Sequence, residues 1–583
     1  MIKKLVRQML TAQILSALTI SLCLLIDNIM IGRFLGVRAL AAYELANPIL
    51  LVIGALGSML SAGVQVACSR SLGRGSQEET NVGYSSAIVV TSAISLAFLI
   101  LVLAFRGPLA RVLGADSDPA LYLDTKGYMA GFIIGAPASM GSLILVPFLQ
   151  MAGRSNLLIA AVLGMTVADV GLDLLNVLVF HGGMFGMGLA SSLSYYAAMA
   201  VGAVYFLGPH CAFRFSLDGV KWSKIREMFA GGVPTAFTMA STVVLIFVMN
   251  RLLLDAGGDA AVAAFSVIMT LGNASNCIST GMGGVSLTLS GILFNEEDGT
   301  GLRQLLKLLV RHAALLGVIV GAALALFAVP LVSLFLPEAG ESQRMAVVGL
   351  RFFALGLAPC CVNSALKNCY QGIGRVGTTE LISILENAVV PVIVALILRF
   401  TAGMKGIWTY FPIAEALTAA GIMGYVWLNK GRITWRAEDV LLLRDDFGVP
   451  PEDLLEADIH SLDEVMEVSR RAEAFCRAHG NDGKIGGHVA LCIEELGTNI
   501  VTYGFEEGRK NHLSIRLQYK GGRWVLRFRD DCSAFDPVSY VRESEQDGVG
   551  IALVMRMASE ARYTCSLDLN NLMLVLNGEA QRL

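Results

Sequence analysis

The sequence predicts an all-α polytopic membrane protein of about twelve transmembrane helices in two parallel six-helix lobes, followed by an α/β sandwich. Residues 1–432 contain 27 Lys and Arg and 21 Asp and Glu, whereas the shorter stretch 433–583 contains 17 and 26. A long segment so poor in charge belongs in a bilayer, and a stretch as polar as the remainder folds in water. With an internal repeat, described below, this contrast predicts a first lobe at 1–215, a second lobe at 216–432 and a soluble domain at 433–583.

The apolar runs of the membrane part are separated by turn and charge signals. Basic residues such as Arg70, Arg154 and Lys430 are concentrated at the ends that lie inside if the N-terminus is inside. This bias predicts a multi-pass protein of the cell membrane, with the N-terminus and the C-terminal domain in the cytoplasm. The predicted spans lie near 12–34, 39–70, 82–105, 121–150, 156–181, 185–208, 228–255, 259–294, 302–336, 343–371, 376–400 and 404–430.

Three short segments of the membrane part recur in its second half. GVRALAAY at 36–43 returns as GDAAVAAF at 258–265, QMAGR at 150–154 as QGIGR at 371–375, and GMFGM at 183–187 as GMKGI at 403–407. The offsets are 222, 221 and 220 residues, so the three matches agree on one register. Two halves with an even number of spans are parallel repeats, and such lobes can rock against each other to give alternating access.

Several motifs of the membrane part resemble one transporter family. The run IDNIMIG at 26–32, followed by LG at 35–36 and ALAA at 39–42, resembles the first-span signature of the multidrug and toxic compound extrusion (MATE) exporters. GVP at 232–234 and GIW at 406–408 are similar to later motifs of that family. The resemblance covers residues 1–432 and implies cation-coupled export of small organic compounds through a V-shaped pair of lobes.

Three aspartates fall inside predicted spans of the first lobe. Asp27 lies in span one, and Asp169 and Asp173 lie one turn apart on the same face of span five. A carboxylate in hydrocarbon costs on the order of 3 kcal/mol, so it needs a partner or a function. Three ionised carboxylates that converge would repel each other, and a bound proton or Na⁺ would relieve the repulsion. We therefore predict a cation-coupling site at Asp27, Asp169 and Asp173.

The family resemblance implies the same role for two of these residues. Asp27 and Asp173 match the acidic positions that carry cation coupling in the prokaryotic branch of the family. Asp169 stands where those relatives usually have Asn, which leaves the choice between H⁺ and Na⁺ open.

The second lobe lacks these carboxylates at the positions that the repeat aligns with them. Met249, Val390 and Val394 stand there, so the coupling site is expected in the first lobe alone. Glu386 and Glu415 also lie within spans, and for them a structural role and a cavity-lining role remain equally open.

The soluble stretch is predicted to form one α/β domain. Helical patterning near 461–478 and 485–503 precedes alternating strand patterns at 513–519 and 523–530. A helix is predicted at 549–560, with further strands near 562–568 and 572–577. Its acidic balance argues against nucleic-acid binding, for which a basic surface is expected.

Three motifs of this domain together resemble a nucleotide site. They are EELGTNIVTYGF at 494–505, DDCSAFDP at 530–537 and GVG at 548–550, the last opening a helix where backbone N–H groups favour phosphate. In this order they resemble the histidine-kinase/Hsp90-like (GHKL) ATPases, and especially the anti-sigma-factor serine-kinase branch. The resemblance implies an ATP site with Mg²⁺.

The resemblance also assigns roles to single residues of the domain. Asn499 would offer its amide oxygen to Mg²⁺, and Glu495, one turn earlier on the same helix face, is the candidate general base. Asp530 would accept a hydrogen bond from the adenine amino group. The other implied contacts with ATP come from Gly548 and Gly550, which let the backbone approach the phosphates, and from Arg542, which reaches the terminal phosphate.

Cys532 departs from the family pattern, which has glycine there. If that position needs a positive φ, a cysteine strains the loop and weakens nucleotide binding. The domain would then be a regulatory one without catalysis. No GxxxxGK[ST] motif occurs, so the domain is not a P-loop motor.

Two functions are compatible with the sequence. The first is a cation-coupled secondary antiporter for organic compounds, regulated by a cytosolic ATP-binding domain. The second is a membrane-bound serine/threonine kinase of an anti-sigma-type switch, in which the spans act as a sensor and an anti-anti-sigma-type protein is the partner. Intramembrane carboxylates favour the first function, because a membrane anchor has no need of them.

Overall fold

The computed structural model describes residues 2–577, apart from 116–117, 209–210, 337–339, 432–435, 445–446, 481–482, 507, 509–510 and 544–548. The membrane part is helical throughout. Its helices are α1 (Ile2–Met30), α2 (Val37–Gly73), α3 (Gln77–Val112), α4 (Pro119–Ile133), α5 (Ala136–Met151), α6 (Ser155–Leu175), α7 (Gly183–Leu207), α8 (Trp222–Ser275), α9 (Cys277–Asn295), α10 (Gly299–Leu326), α11 (Ala328–Ser333), α12 (Glu341–Gly372), α13 (Val376–Ile384), α14 (Val390–Ile407) and α15 (Tyr410–Lys430).

Within the described residues, ten helices are long and apolar enough to cross a membrane. The bent pair α4 and α5, which meet at 45°, makes an eleventh such element. The helix α1, which is not among these elements, has 29 residues and begins ten residues before the first predicted span. The polytopic helical fold predicted from the sequence is therefore confirmed.

The repeated segments mark equivalent bends of the chain. Gly36 and Gly258 both have a positive φ, and so do Gly153 and Gly374, and Gly183 and Gly403. These six glycines stand at the three offsets found in the sequence, where helices meet or bend. A positive φ is costly for residues with a Cβ, so the repeat keeps glycine at these bends.

Each lobe has a core of its own, and a third core lies between them. One buried cluster is drawn from residues 30–187 and another from residues 249–410. The third combines both lobes with residues 437–443 and with Leu567 and Leu569 of the C-terminal domain. We call the membrane face that bears this third core the domain side.

The lobes pack closely on the domain side because α2 and α8 touch through glycines. A Cβ on Gly63 would overlap the Met228 carbonyl, and one on Gly232 would overlap the Met59 carbonyl. Arg70 of α2 and Glu227 of α8 form an ion pair of 3.3 Å at the same level. The two lobes are therefore closed against each other on the domain side.

The C-terminal domain is a five-stranded antiparallel sheet of order β1-β2-β3-β5-β4, covered on one face by α17 and α18. The short helix α16 (Ala437–Val440) lies in the connection from α15 to this domain. The elements of the domain are β1 (Leu454–Ile459), α17 (Leu462–Ala478), α18 (Gly483–Asn499), β2 (Leu513–Lys520), β3 (Arg523–Asp530), α19 (Pro537–Glu543), α20 (Val549–Met557), β4 (Glu560–Ser566) and β5 (Leu569–Asn577).

The two sheet faces differ in chemistry because side chains alternate along a strand. In β2, Leu513, Ile515 and Leu517 are buried in the apolar core beneath the helices. Arg516 and Lys520 occupy the alternate positions, which puts cations on the opposite face of the sheet. The strand β1 and the short helices α16 and α19 were not predicted from the sequence.

Candidate functional site

The three predicted intramembrane aspartates lie together between α1 and α6. Asp27 of α1 is 6% exposed, and Asp169 and Asp173 of α6 are 4% and 0% exposed. The carboxyl group of Asp27 lies within hydrogen-bonding reach of both other carboxyl groups. Asp169 also lies within reach of the Ser194 hydroxyl and the Cys23 thiol, two groups that the sequence analysis did not single out.

These carboxyl groups are poorly satisfied by the protein. Among the described residues, no hydrogen-bond donor reaches either carboxylate oxygen of Asp173 or the Oδ1 atom of Asp27. A buried carboxylate without a donor is costly, and the cost rises when other carboxylates face it. A proton or a small cation shared by these oxygens would remove both penalties.

Both helices that hold the aspartates change to π-helix about one turn later. The π-helical segment Ile31–Leu35 follows Asp27, and Asn176–Phe180 follows Asp173. Short π-helical segments often occur at functional sites, because they widen the helix and free backbone groups. The side chain of Asn176 bridges the bend after the second segment, by accepting from Gly182 N at 3.1 Å and donating to Gly183 O at 3.2 Å.

The second lobe has a different polar cluster. Lys367 donates to Glu386 Oε2 at 2.5 Å, and Asn363 donates to Glu415 Oε2 at 2.8 Å. All four side chains are buried. The sequence analysis did not identify Lys367 as a candidate residue. Glu386 and Glu415 thus have structural partners, unlike Asp173 of the first lobe.

The described residues among those predicted to bind nucleotide lie at the end of β3, near the end of α18 and at the start of α20. Asp530 is buried at the end of β3, where it accepts from Asn570 Nδ2 at 2.8 Å and from Cys532 N at 3.1 Å. Burial raises the pKa of Asp530, although the hydrogen bonds from Asn570 and Cys532 act against this shift. Both donors bind the Oδ1 atom, and because a carboxylate has about four lone-pair directions it can accept further donors such as an amino group.

Glu495 and Asn499 lie one turn apart near the end of α18, and the backbone of Gly550 in α20 closely approaches the Glu495 carboxylate. Gly548 lies outside the described residues. The backbone of Arg542 belongs to α19, and the structure does not describe its side chain.

The condition under which Cys532 would strain its loop, a positive φ, is not met in the structure. Its φ is not positive, so this backbone accepts a residue with a Cβ. Its thiol occupies space left by a glycine, since a Cβ on Gly504 would come within 3.0 Å of Cys532 Sγ.

The C-terminal domain docks on the second lobe through opposite charges. Glu296, Glu297 and Asp298, which we call the acidic loop, connect α9 to α10. Their partners on the open face of the sheet are Arg529 at 2.7 Å, Lys520 at 2.5 Å and Arg516 at 2.6 Å, respectively. Burial lowers the pKa of Arg529, but the Glu296 carboxylate outweighs it and the pKa stands above its usual value.

The same domain also docks on the first lobe. Lys4 of α1 pairs with Asp531 at 3.1 Å, and Arg562 of β4 donates to the Arg74 carbonyl at 2.8 Å. Leu567, in the turn between β4 and β5, donates its backbone N–H to Met151 O at 2.5 Å. The domain therefore bridges both lobes on the side where they are closed.

Short links join the nucleotide site to this docking surface. Asn570 holds Asp530, and its neighbour Asn571 accepts from Arg529 Nε at 2.6 Å, while Arg529 binds Glu296 of the acidic loop. Asp531, which pairs with Lys4, directly follows Asp530 in the sequence. Residues that contact Asp530 or adjoin it in the sequence thus lead to contacts with both lobes.

The fold and these two sites define a two-lobed membrane transporter with an ATPase-type domain attached. The family model MatE matches residues 12–175 and 234–397, more than half of the chain, and the histidine kinase-like ATPase domain model matches residues 460–575. The chain belongs to the MatE family, and its C-terminal domain is a histidine kinase-like ATPase domain.

Known relatives share the membrane part. The multidrug export protein MepA of Staphylococcus aureus strain MSSA476 is 22% identical over 397 residues, which cover 68% of this chain and 87% of MepA. MepA of Staphylococcus saprophyticus is 23% identical over 420 residues, which cover 70% of this chain and 90% of that protein.

Solved MATE structures share the fold. A crystal structure of MATE in complex with MaL6 superposes with a TM-score of 0.68 at 20% identity, covering 73% of this chain and 95% of that chain. A transporter of Pyrococcus furiosus, described as having a binding pocket of reversed polarity, gives 0.68 at 19% identity with the same coverage. These likenesses confirm the predicted membrane fold.

Proposed function

We propose that this protein is a cation-coupled secondary antiporter that exports small organic compounds from the cytoplasm by alternating access. The observation that carries the proposal is the cluster of Asp27, Asp169 and Asp173, buried in the first lobe with unsatisfied oxygens. The similarity to the multidrug export protein MepA supports the substrate class. Both termini are assigned to the cytoplasm, in accordance with the distribution of basic residues in the sequence.

Cation binding would act on the packing of α1 against α6. With the site empty, negative charges face each other in a medium of low dielectric, and this repulsion favours a looser packing of the two helices. Neutralisation by a cation allows closer packing, and the π-helical segments after Asp27 and Asp173 give both helices a place to bend. The lobe then alternates between two packings, each coupled to one access state.

The coupling ion is proposed to be H⁺ or Na⁺. A proton can be shared by two facing carboxyl groups, such as those of Asp27 and Asp173, and carboxylate oxygens can also serve as ligands of Na⁺. Transport driven in turn by a proton gradient and by a sodium gradient in proteoliposomes distinguishes the two ions.

ATP is proposed as a regulator of this transport, with Mg²⁺ bound beside it. Asp530 would bind adenine, Asn499 would hold Mg²⁺, and Gly548, Gly550 and Arg542 would surround the phosphates. The carboxylate cluster makes a nucleotide motor unnecessary, because an ion gradient can supply the free energy. The docked position of the domain supports a regulatory role, since the lobes cannot separate on the domain side while both sets of contacts persist.

Asn499→Ala tests the nucleotide site. The substitution removes the amide oxygen proposed for Mg²⁺, and we expect Mg-ATP to bind the full-length protein roughly 10–100-fold more weakly. ATP binding measured without Mg²⁺ should change much less. Isothermal titration with and without Mg²⁺ checks both expectations, and Asn429→Ala at the exposed end of α15 is the control. Equal Mg-ATP affinity in the variant and the wild type would remove the proposed role of Asn499.

A serine/threonine kinase of an anti-sigma-type switch is the second candidate function. The observation in its favour is the pair Glu495 and Asn499, one turn apart on α18, with Gly550 against the Glu495 carboxylate. Glu495 would take the proton from a serine hydroxyl of an anti-anti-sigma-type partner protein as it attacks the terminal phosphate.

Glu495→Gln separates kinase activity from regulation. General-base catalysis contributes about 10²–10⁴-fold, so the variant should lose phosphotransfer by that factor while still binding Mg-ATP. Transfer of radioactive phosphate to a protein substrate measures the loss, with Glu467→Gln on α17 as the control. If neither the wild type nor the control transfers phosphate to any serine-containing partner of this type, the kinase function is ruled out and regulation by ATP binding remains.

A further inference from the structure

A large basic cavity opens on the domain side of the second lobe. It has a volume of about 1280 Å³ and lies between α10, the end of α15 and the connection from α15 to the C-terminal domain. Six cationic residues line it, and we call it the basic cavity: Arg303, Lys307, Arg311, Lys430, Arg436 and Arg444.

Among the described residues that line this cavity, cations outnumber acids by six to two. Glu438 pairs with Arg303 at 2.5 Å, and Asp439 is the other acidic residue of the lining. Lys430 donates to the Leu443 carbonyl at 2.6 Å, which holds its ammonium group beside the connection. Like charges gathered around a concave surface with apolar walls create a positive potential that attracts an anion.

The face of α10 that carries these cations becomes apolar farther along the helix. Arg303, Lys307 and Arg311 follow each other at intervals of four residues, so they form one exposed stripe. The same stripe continues as Leu315, Val318 and Ile319, each more than half exposed on a helix that is apolar enough to span the bilayer. The stripe changes from cationic to apolar between Arg311 and Leu315, which are about one turn, or about 6 Å, apart along the helix axis.

We propose that the basic cavity binds the phosphate headgroup of an anionic phospholipid. The change from cations to exposed apolar side chains on one helix face matches the two parts of such a lipid, whose acyl chains would lie along Leu315, Val318 and Ile319. Basic cavities between transmembrane helices on the cytoplasmic side commonly bind anionic headgroups. A soluble phosphate compound would use the cations but would leave the apolar half of the stripe unused.

The cavity also touches the chain segment that joins the lobes to the ATPase domain. Arg436, Glu438 and Arg444 belong to this connection, whereas Lys307 and Arg311 belong to α10. A headgroup in the cavity would therefore contact the second lobe and the connection at once. Bound anionic lipid stabilises the arrangement in which the connection lies against α10.

Native mass spectrometry of the full-length protein with phosphatidylglycerol, phosphatidylcholine and inorganic phosphate tests this site. We expect tighter binding of phosphatidylglycerol than of phosphatidylcholine. The double variant Lys307→Gln/Arg311→Gln should bind phosphatidylglycerol about 30-fold more weakly, because each cation near an anionic lipid contributes about fivefold. Excess inorganic phosphate should not displace the lipid.

Two further variants keep the result interpretable. Lys221→Gln/Arg226→Gln removes the same two charges at the start of α8, outside the basic cavity, and should bind lipid like the wild type. Lys307→Arg/Arg311→Lys keeps the charges and should also bind normally, which shows that the loss does not come from misfolding. Equal binding of the two lipids, equal losses in both Gln variants, or displacement of the lipid by inorganic phosphate would overturn the proposal.

Discussion

Asp173→Asn is expected to reduce transport driven by a cation gradient strongly. The substitution removes one of three facing carboxylates and leaves an amide of nearly equal volume, so the packing of α6 is retained while the cation loses its most buried acceptor. Coupling free energies between sites typically correspond to factors of 5–150, and we expect a loss of roughly that size. Dye efflux from proteoliposomes, started by an imposed proton or sodium gradient, measures it.

Asp124→Asn is the matched control for this experiment. Asp124 lies in α4 of the same lobe, where it pairs with Arg38 at 3.0 Å near the surface. Surface ion pairs contribute about 0–1 kcal/mol, so transport should stay close to that of the wild type. Undiminished gradient-driven efflux in Asp173→Asn, with the control also active, would contradict the proposed coupling site.

Arg529→Glu is expected to release the ATPase domain from the second lobe and to make transport insensitive to Mg-ATP. The change places a carboxylate against Glu296, which is itself buried. Breaking a buried pair costs about 3–5 kcal/mol, which is a factor of 100 or more in the local opening equilibrium. Hydrogen exchange of the acidic loop and of β3 should accelerate accordingly, and efflux with and without Mg-ATP should become equal.

A charge swap shows whether the ion pair itself matters. Glu296→Arg combined with Arg529→Glu restores opposite charges and should slow hydrogen exchange again and recover the response to Mg-ATP. Arg523→Glu makes the same charge change at the exposed start of β3 and serves as the control. An Arg529→Glu protein with unchanged exchange and an unchanged ATP response would rule out regulation through this contact.

Local sequence patterns predicted the membrane elements well. The hydropathy pattern predicted the positions of the spans, because a bilayer requires about twenty consecutive apolar residues for each crossing. The start of α1 at Ile2 was missed, since the pattern registers the apolar part of a helix and not its polar extension. That extension brings Lys4 to Asp531, a contact between residues 527 positions apart that no local pattern could indicate.

The polar residues of the membrane part were predicted unevenly. A carboxylate in a span is conspicuous, so Asp27, Asp169 and Asp173 stood out, and the structure brings them together. Lys367 did not stand out, because a cation near a span end resembles the ordinary basic residues of span ends. Its role became clear only from the structure, in which it forms a buried ion pair with Glu386.

In the C-terminal domain, too, local sequence patterns predicted some elements, whereas contacts between distant residues were not predicted. Alternation predicted β2 and β3 because one face of each strand is buried under helices, whereas β1, an edge strand with only its last residue fully buried, left no clear pattern. The motifs indicated the residues of the nucleotide site. The basic face of the sheet was present in the sequence, but its partner, the acidic loop, lies more than 200 residues away.

The sequence by itself determined which part lies in the membrane and which in water, showed the twofold repeat and singled out the candidate residues of both sites, because these depend on composition, periodicity and short motifs. The tertiary structure alone decided that the ATPase domain contacts both lobes. It also decided, for the residues it describes, that no donor reaches Asp27 Oδ1 or the Asp173 oxygens and that six cations line one cavity. These features arise from distances between residues far apart in the chain, and such distances are set by packing in three dimensions.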